Sequence, residues 1–295
     1  MAEAVMDKKV PKARRSKVAS ALRELRKAPL TAWFGMIVVT IYILLAVFAP
    51  LLAPFKEAEV LADAFLPWEA PYYLGTDQLG RDMLTRMIFA ARNSMGIAFA
   101  ATLLAFFSGG LLGILSALLK GWFDQIISRI VDAVMAIPSL IFALMVLSIF
   151  KQPTATNIIL VIGIVDATRV FRLTRAVAMN VVALDFVEAA KLRGEKISWV
   201  VFREIVPNIM PPLVTEFGLR YCFVFLTISA LSFLGLGLQP PTADWGLMVR
   251  ENATLITYGD ITPLLPAGAI ALLTVAINFI VDWFLNKTSG LRDGQ

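Results

Sequence analysis

The stretch D-F-V-E-A-A-K-L-R-G-E-K-I-S-W-V-V-F-R-E-I-V-P, residues 185–207, is charged and basic, yet long apolar runs flank it on both sides. Those runs decide the fold. No charged residue occurs in 28–55, 93–119, 133–150 or 261–281. A bilayer core about 30 Å thick takes roughly 20 residues of helix, so each block is long enough to span or nearly span it. A soluble helical bundle would need charged faces on these helices, and the blocks have none. The chain reads as an all-α polytopic membrane protein, and 185–207 is the place where a soluble partner could grip it.

Composition agrees with that reading and removes several alternatives. Hydrophobic residues make up 58% of the chain and charged residues 17%, against about 25% charged in an ordinary soluble domain. There is no histidine, and Cys222 is the single cysteine. Intrachain disulfides, Cys/His metal sites and histidine-based catalysis are therefore excluded. No G-x-x-x-x-G-K-[ST] or H-E-x-x-H pattern occurs, so neither nucleotide binding nor zinc hydrolysis is expected of this chain. The net charge of +5 reflects membrane topology and not nucleic-acid binding.

Six spans are expected, at about 33–52, 94–119, 127–150, 157–177, 205–236 and 263–285. Residues 1–31 form a basic arm, with a short surface helix expected near its end. The first apolar block lacks a small-residue cleavage site and reads as a retained anchor. Residues 32–93 comprise the first span and an extracytoplasmic loop, in which 81–92 suggests a helix lying at the interface. A five-helix core follows over 94–286, containing the loop 185–207, and a tail closes the chain at 287–295. Gly109, Gly110 and Gly113 should allow close helix approach, and Pro138 should kink the third span. Pro207, Pro211 and Pro212 should break the fifth span early. Six spans place both termini on one side. Nine basic residues of the arm, Lys120, Arg129, the seven from Arg169 to Arg203, and Lys287 and Arg292 then share that side, out of 27 in the chain. The positive-inside rule assigns that side, and the 185–207 loop with it, to the cytoplasm.

Within the loop, Asp185 and Glu188 have the spacing of a capping box, and Gly194 is a natural stop. The spacing predicts a two-turn helix over 186–193. Phe186, Ala189, Ala190 and Arg193 fall on one side of it, where small residues would let another protein approach closely.

E-A-A-x3-G from Glu188 to Gly194, followed by nine residues and E-I-V-P, resembles the signature loop of permease subunits in bacterial ATP-binding-cassette (ABC) importers. In that family the loop ends I-x-L-P, so Glu204 and Val206 depart from it, while Glu188, Ala189, Ala190, Gly194 and Pro207 match. L-G-T-D-Q-L-G-R-D from Leu74, L-S-F-L-G-L-G-L-Q-P-P from Leu231, D-W-G from Asp244 and G-L-R-D from Gly290 are similar to the dipeptide/oligopeptide permease family, second-subunit type. The resemblance extends over residues 30–293. It implies a type I ABC-importer permease fold in a bacterial inner membrane, with a cytoplasmic coupling helix. It implies as partners a second homologous permease, two cytoplasmic ABC ATPases and an extracytoplasmic solute-binding protein, with ATP and magnesium held by the ATPases and no cofactor on this chain. The coupling residues implied are Asp185, Phe186, Glu188, Ala189, Ala190, Leu192, Arg193, Gly194 and Pro207.

Two sets of residues keep two readings each. Asp166 with Arg169 and Glu216 with Arg220 are charges at membrane depth, costly unless they face a bundle interior. They line a translocation path or form helix-end and subunit-interface pairs. Asp77, Gln78, Arg81 and Asp82 belong to a turn-rich stretch that either docks the binding protein or folds the loop upon itself. Membrane acids would also serve a proton-coupled secondary transporter. No inverted repeat of interrupted helices accompanies them.

Overall fold

The computed structural model describes residues 28–288. The first part of the arm and the end of the tail, including the expected arm helix and the G-L-R-D motif, lie outside the described residues. Apart from two isolated bridges in the first loop, the described residues are helical or irregular. The helices of eight residues or more are α1 (Leu30–Val47), α2 (Met83–Leu119), α3 (Gly121–Met135), α4 (Ser139–Leu147), α5 (Ala155–Val182), α6 (Asp185–Leu192), α7 (Ile197–Phe233), α8 (Trp245–Asn252) and α9 (Leu264–Thr288).

Among the described residues α1, α2, α7 and α9 are long and apolar enough to cross a membrane. The α3–α4 pair passes the same test jointly, bent by 85°. Pro138 explains the break: it has no N–H to give, and it disfavours helical geometry at Ile137. The kink expected there is thus a near right angle. The remaining long helix, α5, has 28 residues but carries Asp166, Arg169, Arg172 and Arg175, and its apolar stretch alone does not mark it as a span.

The backbones of α2 and α5 make the most extensive helix contact. A Cβ at Gly109 would lie 2.3 Å from the Ala167 carbonyl oxygen, and one at Gly113 would lie 2.9 Å from that of Phe171. From the other side, a Cβ at Gly163 would meet the Leu104 side chain at 2.8 Å. A Cβ at Gly110, by contrast, would meet nothing within 4 Å. Two of the three glycines expected to permit close approach therefore do so. Helix α1 uses the same device, with Gly35 set against the Ala276 carbonyl of α9. In lipid there is no hydrophobic drive to bring helices together, so contact between bare backbones supplies the packing.

Two expectations are corrected. The separate interfacial helix over 81–92 is absent: α2 begins at Met83 and runs unbroken for 37 residues, about 55 Å at 1.5 Å per residue. Asn93, which looked like a boundary, donates to Glu57 and to the Ala243 carbonyl at 2.9 Å each and interrupts nothing. Likewise α7 runs through Pro207, Pro211 and Pro212. A π-helical turn over Val200–Ile205 precedes Pro207, and the Val206 N–H reaches back five residues to the Val201 carbonyl. The wider turn accommodates the proline without ending the helix.

The loop before α2 is folded by buried charge. Asp77 is fully buried and accepts from the Leu79 and Arg81 backbone N–H groups at 2.9 and 3.0 Å. Its Oδ2 pairs with Arg81 Nε at 2.7 Å and Arg86 Nε at 3.2 Å. Glu251 of α8 closes the cluster, 3.0 Å from Arg86 and 3.5 Å from Arg81. Burial pushes the Glu251 carboxyl up from its ordinary range, and the two guanidiniums pull it back. Asp82 is the N-cap of α2, accepting from Thr85 N–H at 2.7 Å. Gly80 makes the turn between them, with φ +72° and the Ala62 carbonyl oxygen 1.8 Å from where a Cβ would stand. Asp77, Arg81 and Asp82 are thus committed internally, which corrects their reading as a docking surface; Gln78 and Leu79 remain exposed.

Nearby, Asp244 caps α8 through Leu247 N–H at 3.0 Å and accepts from Ser94 Oγ at 2.8 Å. Full burial pushes its carboxyl up, against those hydrogen bonds. Trp245 beside it packs edge-on against Tyr42 and Phe225 at 5.5 and 6.2 Å, joining α1, α7 and α8.

Cys222 is buried, so a thiol-reactive fluorogenic dye reports unfolding of the detergent-solubilised chain. Gly109→Ala should lower the transition by an overpacking cost of about 1–3 kcal/mol, and Gly110→Ala should leave it in place. Asp77→Ala, which strips two buried arginines of a partner, should cost about 3–5 kcal/mol. Leu79→Ser on the exposed tip should stay within about 0.5 kcal/mol of the parent.

Candidate functional site

Helix α6 is joined to α5 by Ala183 and Leu184 alone. Val187 and Ala190 are fully buried, in a cluster with Ile114 and Ala117 of α2, Ala178 and Val181 of α5, and Ile205 and Ile209 of α7. Burying a valine side chain is worth about 1.5–3 kcal/mol, while a side-chain N-cap is worth about 1 kcal/mol. Burial wins. The helix starts at Asp185 with Leu184 as N-cap, and no side chain caps it. The Asp185 capping box expected from sequence does not form; Asp185 and Glu188 instead sit in the first turn, where the helix dipole favours negative charge.

The C-terminal end follows expectation. Gly194 has φ +79°; its N–H bonds the Lys191 carbonyl at 2.9 Å and the Glu195 N–H bonds that of Ala190 at 3.2 Å, a Schellman stop.

The faces of α6 differ in one respect from the sequence reading. Ala190 points into the bundle. The outward surface consists of Asp185, Phe186, Glu188, Ala189, Leu192, Arg193 and Gly194, all exposed, and Pro207 is exposed on α7. Leu192 is an apolar side chain that is 84% exposed. Phe186, Ile197 and Phe202 are exposed at the same end. Behind the Gly194 turn lies a hollow of about 520 Å³ lined by Lys196, Trp199, Phe202 and Arg203 among others. Arg193 lies over the Trp199 ring, 5.9 Å from its centroid. Apolar surface grouped around a rigid, capped helix is the character of a protein interface.

The second candidate is the set of charges on α5 and α7, which the structure brings together. Arg169 Nη1 is 3.0 Å from Asp166 Oδ1, and Arg220 Nε is 2.7 Å from Glu216 Oε1. Arg220 Nη1 stands 3.7 Å from the same Asp166 Oδ1, linking the two helices. A cavity of about 220 Å³ opens beside Asp166, Arg169 and Arg220. Each i,i+3 or i,i+4 pair was legible along its own helix; that they form one quartet was not. Two further members carried no sequence signal. Ser139, placed at the first turn of α4 by the 85° break, accepts from Arg169 Nη2 at 3.1 Å. Phe223 lies under the Arg220 guanidinium at 4.8 Å. Lower on α5, Arg172 and Arg175 pair with Asp132 and Asp124 of α3.

Among the described residues no group of His, Cys, Asp or Glu is arranged to hold a metal ion.

Comparison with known proteins gives the family. Residues 109–287 match the family model of the binding-protein-dependent transport system inner membrane component. Residues 16–84 match that of the N-terminal TM domain of oligopeptide transport permease C. The chain is 35% identical to the dipeptide transport system permease protein of Alkalihalophilus pseudofirmus, covering 92% of this chain and 87% of the relative. It is 35% identical to the di/tripeptide transport system permease protein of Pseudomonas aeruginosa, over 88% and 85%. With the glutathione transport system permease protein of Pectobacterium atrosepticum the identity is 32%, over 86% and 83%. The crystal structure of an amino acid ABC transporter shares the fold, with a TM-score of 0.52 and 16% identity over 69% of this chain and 94% of that one. The proton-coupled alternative finds no support in these likenesses. The chain belongs to the family of binding-protein-dependent transport system inner membrane components and is a membrane permease subunit of an ABC importer.

Proposed function

We propose that this permease forms half of a translocation pathway for peptides or similar small solutes, and that α6 couples it to cytoplasmic ATPases. The observation that carries the coupling role is the two-sided character of α6. Its inner face is locked into the bundle by Val187 and Ala190, while Phe186, Ala189, Leu192 and Arg193 are exposed on the outer side. Such a helix transmits displacement without absorbing it. Seated in a groove on an ATPase, it would move with that subunit as the ATPases close on ATP. Its direct connections to α5 and α7 would then carry the motion to the quartet. ATP can bias the transporter only through contacts that differ between its two states, and a docked α6 supplies such contacts.

The remaining partners follow from the same reading. A second homologous permease completes the pathway, two ATPases bind ATP and magnesium, and an extracytoplasmic binding protein delivers cargo. The chain itself carries no nucleotide site. In this arrangement it lies in the bacterial inner membrane with α3, α4 and α5 also embedded, six spans in all, and with both termini and α6 in the cytoplasm. The likeness to dipeptide, di/tripeptide and glutathione permeases supports peptide-class cargo. Exposed Gln78 remains as a point of contact for the binding protein.

In the complex reconstituted in lipid, Leu192→Glu or Ala189→Arg should cut ATP-driven uptake at least tenfold and lower copurification of the ATPases. Full uptake and full cargo-stimulated ATP hydrolysis in these variants would remove the coupling role. Orientation is tested separately. A cysteine placed at Leu192 should react with a membrane-impermeant maleimide in inside-out vesicles and not in intact cells, with buried Cys222 contributing little background.

A further inference from the structure

We propose that the cavity beside the quartet is a subsite for the free amino terminus of the cargo, a primary ammonium received by Asp166. The proposal rests on the reading of the cargo as peptides and deepens it.

Asp166 is 3% exposed and lines the cavity. Its two oxygens are unequal. Oδ1 accepts from Arg169 at 3.0 Å and has Arg220 standing off at 3.7 Å. Oδ2 is buried and accepts no hydrogen bond from any described residue. Buried acceptors are satisfied in the great majority of cases, and one left unpartnered on a residue that lines a cavity calls for a donor from elsewhere. A carboxylate oxygen takes a cationic donor in preference to a neutral one, because charge-assisted hydrogen bonds are about twice as strong.

Size narrows the donor further. At about 220 Å³ the cavity is smaller than the roughly 300–1,000 Å³ of sites that enclose a whole ligand. It admits an end group. The end is the amino one because both arginines already stand against groups of this chain: Arg169 bonds Asp166 and Ser139, and Arg220 is ion-paired with Glu216 although its Nε makes no hydrogen bond. A carboxylate entering the cavity would compete with Asp166 and Glu216 for these guanidiniums, whereas an ammonium supplies the donor that Oδ2 lacks. Two acids and two arginines leave the quartet neutral, and a zwitterion keeps it so.

The placement also links binding to coupling. Asp166 and Arg220 sit on the two helices that flank α6, so a shift of α6 changes the 3.7 Å gap between them. Closing it turns Arg220 into a competitor for Asp166 and lowers the affinity for the ammonium. The subsite would hold cargo in one state and release it in the other.

The test uses the assembled transporter in proteoliposomes with its binding protein supplied, and a dipeptide together with its N-acetylated form. The quantity read is the ratio of kcat/KM for the free and the acetylated peptide. The same binding protein serves every variant, so its own preference cancels when ratios are compared between permeases. Asp166→Asn should lower the ratio by about tenfold, the scale of one charge-assisted hydrogen bond. An unchanged ratio overturns the subsite and leaves the peptide reading intact, whereas a wild-type complex that takes up no peptide at all overturns both. Should Asp166→Asn fail to assemble, the wild-type complex decides the matter. A dipeptide with photo-leucine as its first residue should label Ile162, Val165 or Thr227, which line the cavity. Labelling confined to other positions overturns the subsite.

Discussion

The apposition of α2 and α5 is the constraint on which the rest of the bundle depends. At Gly109 and Gly113 the α2 backbone lies so close to the Ala167 and Phe171 carbonyls that a single methyl group would not fit. Gly163 makes the same concession from α5. Helices surrounded by lipid gain nothing from merely hiding apolar surface, so intimate van der Waals contact has to hold them. This contact fixes the depth and rotation of α5. One of its turns thereby presents Asp166 and Arg169 to α7, and its far end joins α2 in forming the platform on which Val187 and Ala190 of α6 rest.

From that platform the functional elements are mechanically continuous. Helix α6 lies between α5 and α7 in the chain and packs against both. Above it, the charges of α5 and α7 meet as a quartet around a cavity that the broken α3–α4 pair helps to wall through Ser139. The far end is held by a different device. Asp77, Arg81, Arg86 and Glu251 bury their charges together, and Trp245 bridges three helices. Buried ion clusters of this kind contribute little net stability, because desolvation offsets their attraction, but they are costly to break. Their effect is to hold a long loop in one conformation. One end of the bundle is thus fixed by charge, while at the other α6 rests on the bundle with its outer face exposed.

Local sequence rules succeeded where the determining interactions lie within one turn of helix. The charge-free blocks marked α1, α2 and α9, Pro138 marked the break between α3 and α4, and the positive φ of Gly194 ended α6 as its position implied. The same rules failed where a neighbour from elsewhere in the chain intervened. Asp185 is a good capping residue, yet the two-residue link from α5 and the burial of Val187 start the helix one position too early for it to cap. Ala190 lay on the same helical side as Phe186 and Ala189 by spacing, and the core claimed it. The apolar spacing of Leu84, Met87, Ile88 and Ala91 suggested a separate interfacial helix, because the partners that bury Arg86, Asp77 and Glu251, stand on either side of α2 in sequence, the latter more than 150 residues away. Pro207 should have ended a helix, but the π turn before it carries the chain through.

The sequence by itself determined the class of the molecule: a membrane-embedded helical chain with one polar handle whose motif resembles that of importer permeases. Those properties follow from composition, periodicity and short-range spacing, which act on each segment alone. The tertiary structure decided which surfaces are available. It turned one face of α6 inward and left Leu192 and Phe186 outside, closed Asp77, Arg81 and Asp82 into the loop, and gathered two separate ion pairs around a cavity with one oxygen of Asp166 unpartnered. Burial and pairing depend on residues distant in sequence and adjacent only after the helices pack, so no reading of one segment could contain them.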